Sequence, residues 1–352
     1  MPKMFRESPL QSLKAGHWVK LIGGASFQDL PTLRHLAIAY GLAGVDCLDL
    51  AADEAVVTAV REGLQVAENL SEEAKTLGFL GVQTPWIMVS LNDGEDPHFR
   101  KAFFDANRCP PDCPRPCESL CPAQAINHQG VIEQRCYGCG RCLPVCPLGL
   151  IQTQSHQTTP QTIANLLRSG QVSALEIHTQ VGHQTRFQTL WQDLKPWLSS
   201  LKLLAISCPD HPDVLAYLTG LYQYMTPLPC PLLWQTDGRS MSGDIGKGTT
   251  HAAIRLAQKV LAANLPGLVQ VAGGTNAYTV EKLAQLNLLA PAPHAIAGIA
   301  YGSFARSQLM PILEQLALEH SLETSPDLLW QAVAIADQLV RPLKLRAGAV
   351  EP

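Results

Sequence analysis

Leu203-Leu-Ala-Ile-Ser207, followed by Cys208-Pro-Asp210, a helical stretch from Pro212 to about Met225, and Pro231-Leu-Leu-Trp-Gln235, is the segment on which the fold turns. Both flanking runs are continuously apolar rather than alternating, as strands buried on both faces are. The stretch between them has room for the crossover helix that joins parallel strands. Toward the C-terminus, Leu268-Val-Gln-Val-Ala272 and Ile296-Ala-Gly-Ile-Ala300 repeat the strand pattern, with helices expected over Thr250–Ala263, Val280–Leu286 and Leu309–His320. Toward the N-terminus, Ala174-Leu-Glu-Ile-His178 is followed by a helix from Phe187 to Leu201. Three more strands lie at Trp18–Ile22, Val45–Leu50 and Pro85–Leu91, the first two followed by helices at Leu30–Leu42 and Glu54–Gly63. The third strand reaches its helix, Gln161–Gly170, only after a long interruption. Eight strands alternating with eight helices are what a (β/α)8 barrel of the TIM type requires. An open doubly wound α/β sheet is the alternative, since periodicity reports alternation and not closure.

The interruption, residues 107–152, carries two runs of four cysteines. Cys136-x2-Cys139-x2-Cys142-x3-Cys146-Pro147 is the bacterial ferredoxin pattern. Cys109-x3-Cys113-x3-Cys117-x3-Cys121-Pro122 is looser by one residue in its first two gaps. The runs repeat as units, because Cys121-Pro-Ala-Gln-Ala-Ile126 is echoed by Cys146-Pro-Leu-Gly-Leu-Ile151, and Gly130-Val-Ile-Glu133 between them fits a short strand. In a duplicated ferredoxin half, the fourth cysteine of each run ligates the other run's cluster. One site is therefore assigned to Cys136, Cys139, Cys142 and Cys121, the other to Cys109, Cys113, Cys117 and Cys146. Zinc is the competing metal for an all-thiolate site, but its knuckles use separated Cys-x2-Cys pairs. Two four-iron clusters are expected, with a three-iron form as the alternative for the first run.

The chain divides accordingly into 1–106 and 153–320, the two parts of the barrel, the 107–152 insert, and a 321–352 tail holding a helix over Asp327–Leu339. With 352 residues, a net charge of −4 and no basic run, it has no nucleic-acid footprint. Its most apolar region, Leu36–Ala52, is interrupted by Asp46 and Asp49, and the N-terminal residues lack a signal peptide's apolar core. A cytoplasmic protein without a membrane span is expected. Of the eleven cysteines, Cys47, Cys208 and Cys230 lie outside the two runs and read as packing residues.

In a barrel, the insert occupies the third loop of the C-terminal face, where active sites are built. Whether it faces the mouth or points away stays open. Gly273-Gly274 and Gly302-Ser303 follow the last two strands, where many barrels hold a phosphate, so a flavin mononucleotide or another phosphate-bearing ligand would fit. Gly238–Gly248 lacks the order of a nucleotide P-loop. Lys20, Asp49, Asp53, Asn92, His178, Asp210, Gln235, Asp237 and Arg239 are polar candidates at strand ends, and no catalytic constellation stands out among them.

The opening Pro9-Leu-Gln-Ser-Leu-Lys-Ala-Gly-His-Trp-Val-Lys-Leu-Ile-Gly-Gly-Ala-Ser-Phe-Gln-Asp-Leu-Pro31, the cysteine-rich middle and the run Asp237–Gly246 resemble the cyanobacterial light-dependent period modulator family. The resemblance spans essentially the whole chain. It implies a cytoplasmic iron–sulfur protein that reports cellular redox state, set by photosynthetic electron flow, to the circadian clock's input pathway. Clock-input partners (a sensor kinase and oscillator components) and exchange with a quinone or ferredoxin pool are implied with it. The eight cysteines carry the family's binding role across. The competing expectation is a ferredoxin-linked oxidoreductase whose clusters feed a cofactor or substrate in the barrel mouth.

Overall fold

A computed structural model describes residues 8–82, 84–121, 123–155, 159–238, 247–316 and 321–345. Eight parallel strands close into a barrel in sequential order: β1 (Trp18–Gly24), β2 (Cys47–Ala51), β3 (Trp86–Asn92), β4 (Ala174–His178), β5 (Leu203–Pro209), β6 (Leu232–Asp237), β7 (Leu268–Ala272) and β8 (Gly298–Tyr301). β1 pairs with β8, Trp18 opposite Gly298, which closes the ring. The expected barrel is therefore the fold, and the open sheet is excluded. The described residues contain no helix long and apolar enough to cross a membrane.

Around the barrel lie helices α1 (Pro9–Ala15), α2 (Leu30–Leu42), α3 (Glu54–Asn69), α4 (Ser71–Thr76), α5 (Pro160–Arg168), α6 (Gln184–Leu194), α7 (Val214–Met225), α8 (Thr250–Ala262), α9 (Thr279–Gln285), α10 (Ser303–Leu313) and α11 (Pro326–Lys344), while the insert adds a one-turn helix at Pro116–Ser119 and a small hairpin of Ile126–Asn127 and Gly130–Val131. Several boundaries differ from expectation for local reasons. α3 runs past Gly63 because that glycine marks a close helix contact rather than a stop: a Cβ there would lie 2.4 Å from the Arg34 carbonyl of α2. α6 ends at Leu194 and tightens into a 3-10 turn carrying Pro196, short of the expected Leu201. The last barrel helix is Ser303–Leu313, not Leu309–His320, because it begins directly after Gly302 with almost no loop. β8 begins at Gly298, two residues later than expected. The sequence pattern missed α1, whose Ser8 and Gln11 form a capping box and whose Leu13 plugs the bottom of the barrel.

The barrel interior is layered, as barrels of this size are. Trp18, Cys47, Trp86, Met88, Ala174, Leu203 and Leu233 fill the lower part. Above them lies a polar layer: Trp18 Nε1 donates to Gln270 at 2.6 Å, Gln270 to Gln235 at 2.6 Å, and Gln235 to Glu176 at 2.7 Å. A larger apolar core lies between strands and helices. α11 extends to Lys344, whose Nζ reaches the buried Asp46 carboxylate at 2.6 Å and ties the end of the chain to the start of β2.

The insert is closed at its neck by antiparallel strands Arg100–Phe103 and Gln152–Ser155, which flank the expected 107–152 and overlap it at Gln152. It leans back onto the loop after β1. The Gln28 amide donates to the Gln134 carbonyl at 2.9 Å, Lys101 Nζ to the Glu133 carbonyl at 2.9 Å, and Tyr137 meets Phe27 edge-on at 6.0 Å.

Candidate metal centre and barrel mouth

Cys121, Cys136, Cys139 and Cys142 line one hollow of about 430 Å³, otherwise walled by small or apolar groups such as Ala102, Ala125, Ile126 and Leu143. Burial, then the neighbouring thiols of Cys139, Cys136 and Cys121, push the Cys142 thiol up to about 12. Thiols crowded this way ionise together only if a cation is supplied, and an all-thiolate donor set selects iron–sulfur or zinc. Backbone N–H groups are aimed at sulfur, as in the bonds that tune cluster potentials. Ala102 N–H donates to Cys136 Sγ at 3.2 Å and Ala125 N–H to Cys121 Sγ at 3.2 Å. Leu150 N–H donates to Cys146 Sγ at 3.4 Å, the same turn four residues after each Cys-Pro cysteine. The residues fit an iron–sulfur cluster.

The second group is looser. The Cys117 thiol is raised by burial first, with Cys146 and Cys109 adding to the shift. Cys113 instead borders an open surface hollow with Pro111 and Arg115. Burial raises the Cys146 thiol, but the N–H groups of residues 148–151 together outweigh it and hold the thiol below the usual range. Cys47 and Cys208 are buried outside both groups, and Cys230 is half-buried.

The barrel mouth is a pocket of about 860 Å³. Its floor is a chain of paired charges. Ser90 donates to Asp49 at 2.6 Å, Lys20 Nζ to Asp49 at 3.0 Å and also to Glu176, and Glu176 meets His178 Nε2 at 3.0 Å. His178 Nδ1 lies 3.6 Å from Asp96, Asp96 bonds His98 Nδ1 at 2.9 Å, and His98 Nε2 stands 3.6 Å from Asp237. Burial opposes both imidazolium ions, but the flanking carboxylates outweigh it and raise both histidines. Burial likewise opposes the Lys20 ammonium, and Asp49 and Glu176 again prevail. Asp96, His98 and His178 have ligand atoms within 4.8 Å of one another. Each imidazole is also within reach of carboxylates, Asp96 and Glu176 for His178, Asp96 and Asp237 for His98.

Of the strand-end candidates, Lys20, Asp49, His178, Gln235 and Asp237 meet in or beneath the mouth. Asp53 caps α3, accepting from the Ala55 and Val56 amides. Asn92 is turned to the Gly94 carbonyl, and Asp210 pairs with Lys259 at the surface. Arg239 lies outside the described residues, as does most of the Asp237–Gly246 run. Gly273, Gly274, Gly302 and Ser303 all line the pocket, and so does the Tyr137-Gly138-Cys139 loop. The insert thus faces the mouth with its regular cysteine run. Asp96, His98, Glu176, Arg306 and Tyr137 were missed; only Glu176, a charge inside an apolar strand, left a signal in the sequence.

The chain is 54% identical over 342 residues to Light dependent period A of Synechococcus elongatus, covering 97% of this chain and 95% of that protein. Among solved structures it is similar to the YdjI aldolase of Escherichia coli K12, at 10% identity over 96% of each chain with a TM-score of 0.43. It is also similar to the geranylgeranylglyceryl phosphate synthase of Thermoplasma acidophilum, at 11% identity over 95% of this chain and 96% of that one with a TM-score of 0.41. Overlap that slight carries nothing over. Residues 109–157, which hold all eight clustered cysteines, match the LdpA Fe-S cluster-binding domain. Residues 166–342, from α5 through most of α11, match the Light dependent period A C-terminal domain, and with a relative 54% identical over nearly the whole chain, the chain belongs to the light dependent period A family.

Proposed function

We propose that the chain is a cytoplasmic iron–sulfur redox sensor that conveys light-set redox state to the circadian clock's input pathway. What carries the reading is the gathering of Cys121 with Cys136, Cys139 and Cys142 around one hollow, the fourth-cysteine exchange expected of a duplicated two-cluster ferredoxin. Cys121, Cys136, Cys139 and Cys142 would hold one cluster, and Cys109, Cys113, Cys117 and Cys146 the other. Clusters bound there supply one-electron exchange. The name of the Synechococcus elongatus relative supports the light and period parts of the reading. The partners proposed are clock-input proteins, a sensor kinase and oscillator components, with the quinone or ferredoxin pool as electron source.

The looser run is the proposed switch. Only Cys117 of its four ligands is buried, against Cys136 and Cys142 at the regular site, and exposure of a site sets both its potential and its access to oxidant. Iron and acid-labile sulfide on anaerobically purified protein should correspond to two clusters, and zinc in place of iron refutes the assignment. Electron paramagnetic resonance during stepwise oxidation should lose its oxidation-sensitive signal in Cys113→Ser and keep it in Cys139→Ser. The reverse pattern moves sensing to the regular site. The second reading, a ferredoxin-linked oxidoreductase passing electrons to a flavin or substrate, is favoured by Cys139 lining the barrel mouth. Flavin bands after acid release of cofactors would select it.

A further inference from the structure

Arg306, in the first turns of α10, is only 4% exposed. Its guanidinium lies between the rings of Phe27 and Tyr137, 4.4 and 4.3 Å from their centroids, and its Nη2 donates to the Gly23 carbonyl. Nε and Nη1 are buried and have no hydrogen-bond partner among the described residues. Leaving charged donors unmet is costly, so these two call for a partner, whether water or a bound group.

Arg306 lines the barrel mouth beside Gly302 and Ser303. Those residues begin α10, an eleven-residue helix with no side-chain cap and no acidic residue in its first turn. That terminus presents N–H groups and the positive end of the helix dipole. On the same wall, Gly273 and Gly274 have φ of 67° and 101°, a left-handed conformation that favours glycine. Toward the floor, Asp237 is 5% exposed and lines the same pocket, and its Oδ1 has no hydrogen-bond partner among the described residues. One side of the mouth is built for an anion, and the other offers an unused acceptor.

We infer that the barrel mouth binds a small hydroxylated phosphate ester, its phosphate held by Arg306 and the start of α10 and a hydroxyl donating to Asp237. The loop Tyr137-Gly138-Cys139 lines the same pocket, so a bound ester covers the cysteine of the regular site. The binding half of this inference is independent of the sensor reading, because it can be measured with the clusters left in their resting state.

The test is calorimetric titration of full-length, anaerobically purified protein with glycerol 3-phosphate, inorganic phosphate and glycerol. Saturable one-to-one binding is expected, tightest for glycerol 3-phosphate, weaker for inorganic phosphate and absent for glycerol. Arg306→Gln should weaken both phosphates about tenfold or more, the loss expected for a charge-assisted hydrogen bond. Because Arg306 also holds Gly23, Ser303→Asp serves as the second variant. A carboxylate in a helix's first turn is well tolerated, and it should expel both anions from a folded protein. Asp237→Asn should weaken glycerol 3-phosphate and leave inorganic phosphate unchanged. Absence of saturable binding, or binding indifferent to both Arg306→Gln and Ser303→Asp, overturns the site. Equal affinity for ester and inorganic phosphate overturns the role given to Asp237. Visible absorbance in air should bleach more slowly with glycerol 3-phosphate bound, and an unchanged rate would overturn the placement beside Cys139.

Discussion

Glu176 sits in a strand buried on both faces, where an apolar side chain is the rule, and it is tolerable only because Lys20, Gln235 and His178 all reach it. Lys20→Met leaves Asp49 and Glu176 facing each other without their cation. The expected cost is about 3–5 kcal/mol, as for other broken buried pairs, seen as a large fall in the urea midpoint. His178 gives a pH signature. Burial opposes its charge, but Asp96 and Glu176 outweigh it, so its folded pKa stands above the ordinary value of about 6.5. Its stabilisation is complete below that ordinary value and is lost as pH rises through the folded one. The urea midpoint should therefore fall as the pH rises above about 6.5, and fall less in His178→Gln; equal slopes would show that His178 does not carry the dependence. Lys20, Asp49, His178, Gln235 and Asp237 were legible because a strand's C-terminal end in a barrel points to the mouth. Asp96, His98 and Arg306 were not, since loops and a neighbouring helix bring them there and no spacing along the chain records it.

Among the elements, the pair α2 and α3 shows what a glycine does inside a helix. Gly63→Ala would gain about 1 kcal/mol of helix propensity on an exposed helix. Here its Cβ would lie 2.4 Å from the Arg34 carbonyl and 3.1 Å from Ala37, so the helices must separate. The melting temperature should fall by several degrees; a rise would mean that α2 and α3 are less closely packed. The same glycine misled the sequence reading, which stopped the helix there. The strands were legible because burial on both faces imposes an unbroken apolar run. Helix ends were less so: α10 starts without a linker after Gly302, and α6 gives way to a turn at Pro196, both settled by packing onto the barrel.

At the scale of the molecule, insert and barrel share fastenings, because Ala102 of the neck donates to Cys136 Sγ and Lys101 joins the Glu133 carbonyl to Gln28. Loss of metal should therefore reach the barrel. Treating the anaerobic protein with a chelator and oxidant is expected to lower the melting temperature followed by circular dichroism at 222 nm, whose signal comes mainly from the barrel's helices. An unchanged transition would show the two units to be mechanically independent. The duplication in the insert was legible from its cysteine spacing, whereas its approach to the mouth depends on Tyr137 packing against Phe27 and Arg306, contacts far apart in sequence.

The neck also bears on ancestry. Arg100 and Ser155 face each other at the barrel end of its antiparallel ladder and Phe103 and Gln152 at the insert end, so the two ends of the insert meet about 5 Å apart, as paired strands do. A segment whose ends meet in this way can enter a gene as a single block without moving any barrel strand. The eight-stranded ring and the ferredoxin-like unit can thus have had separate histories, joined by one recombination inside the third loop.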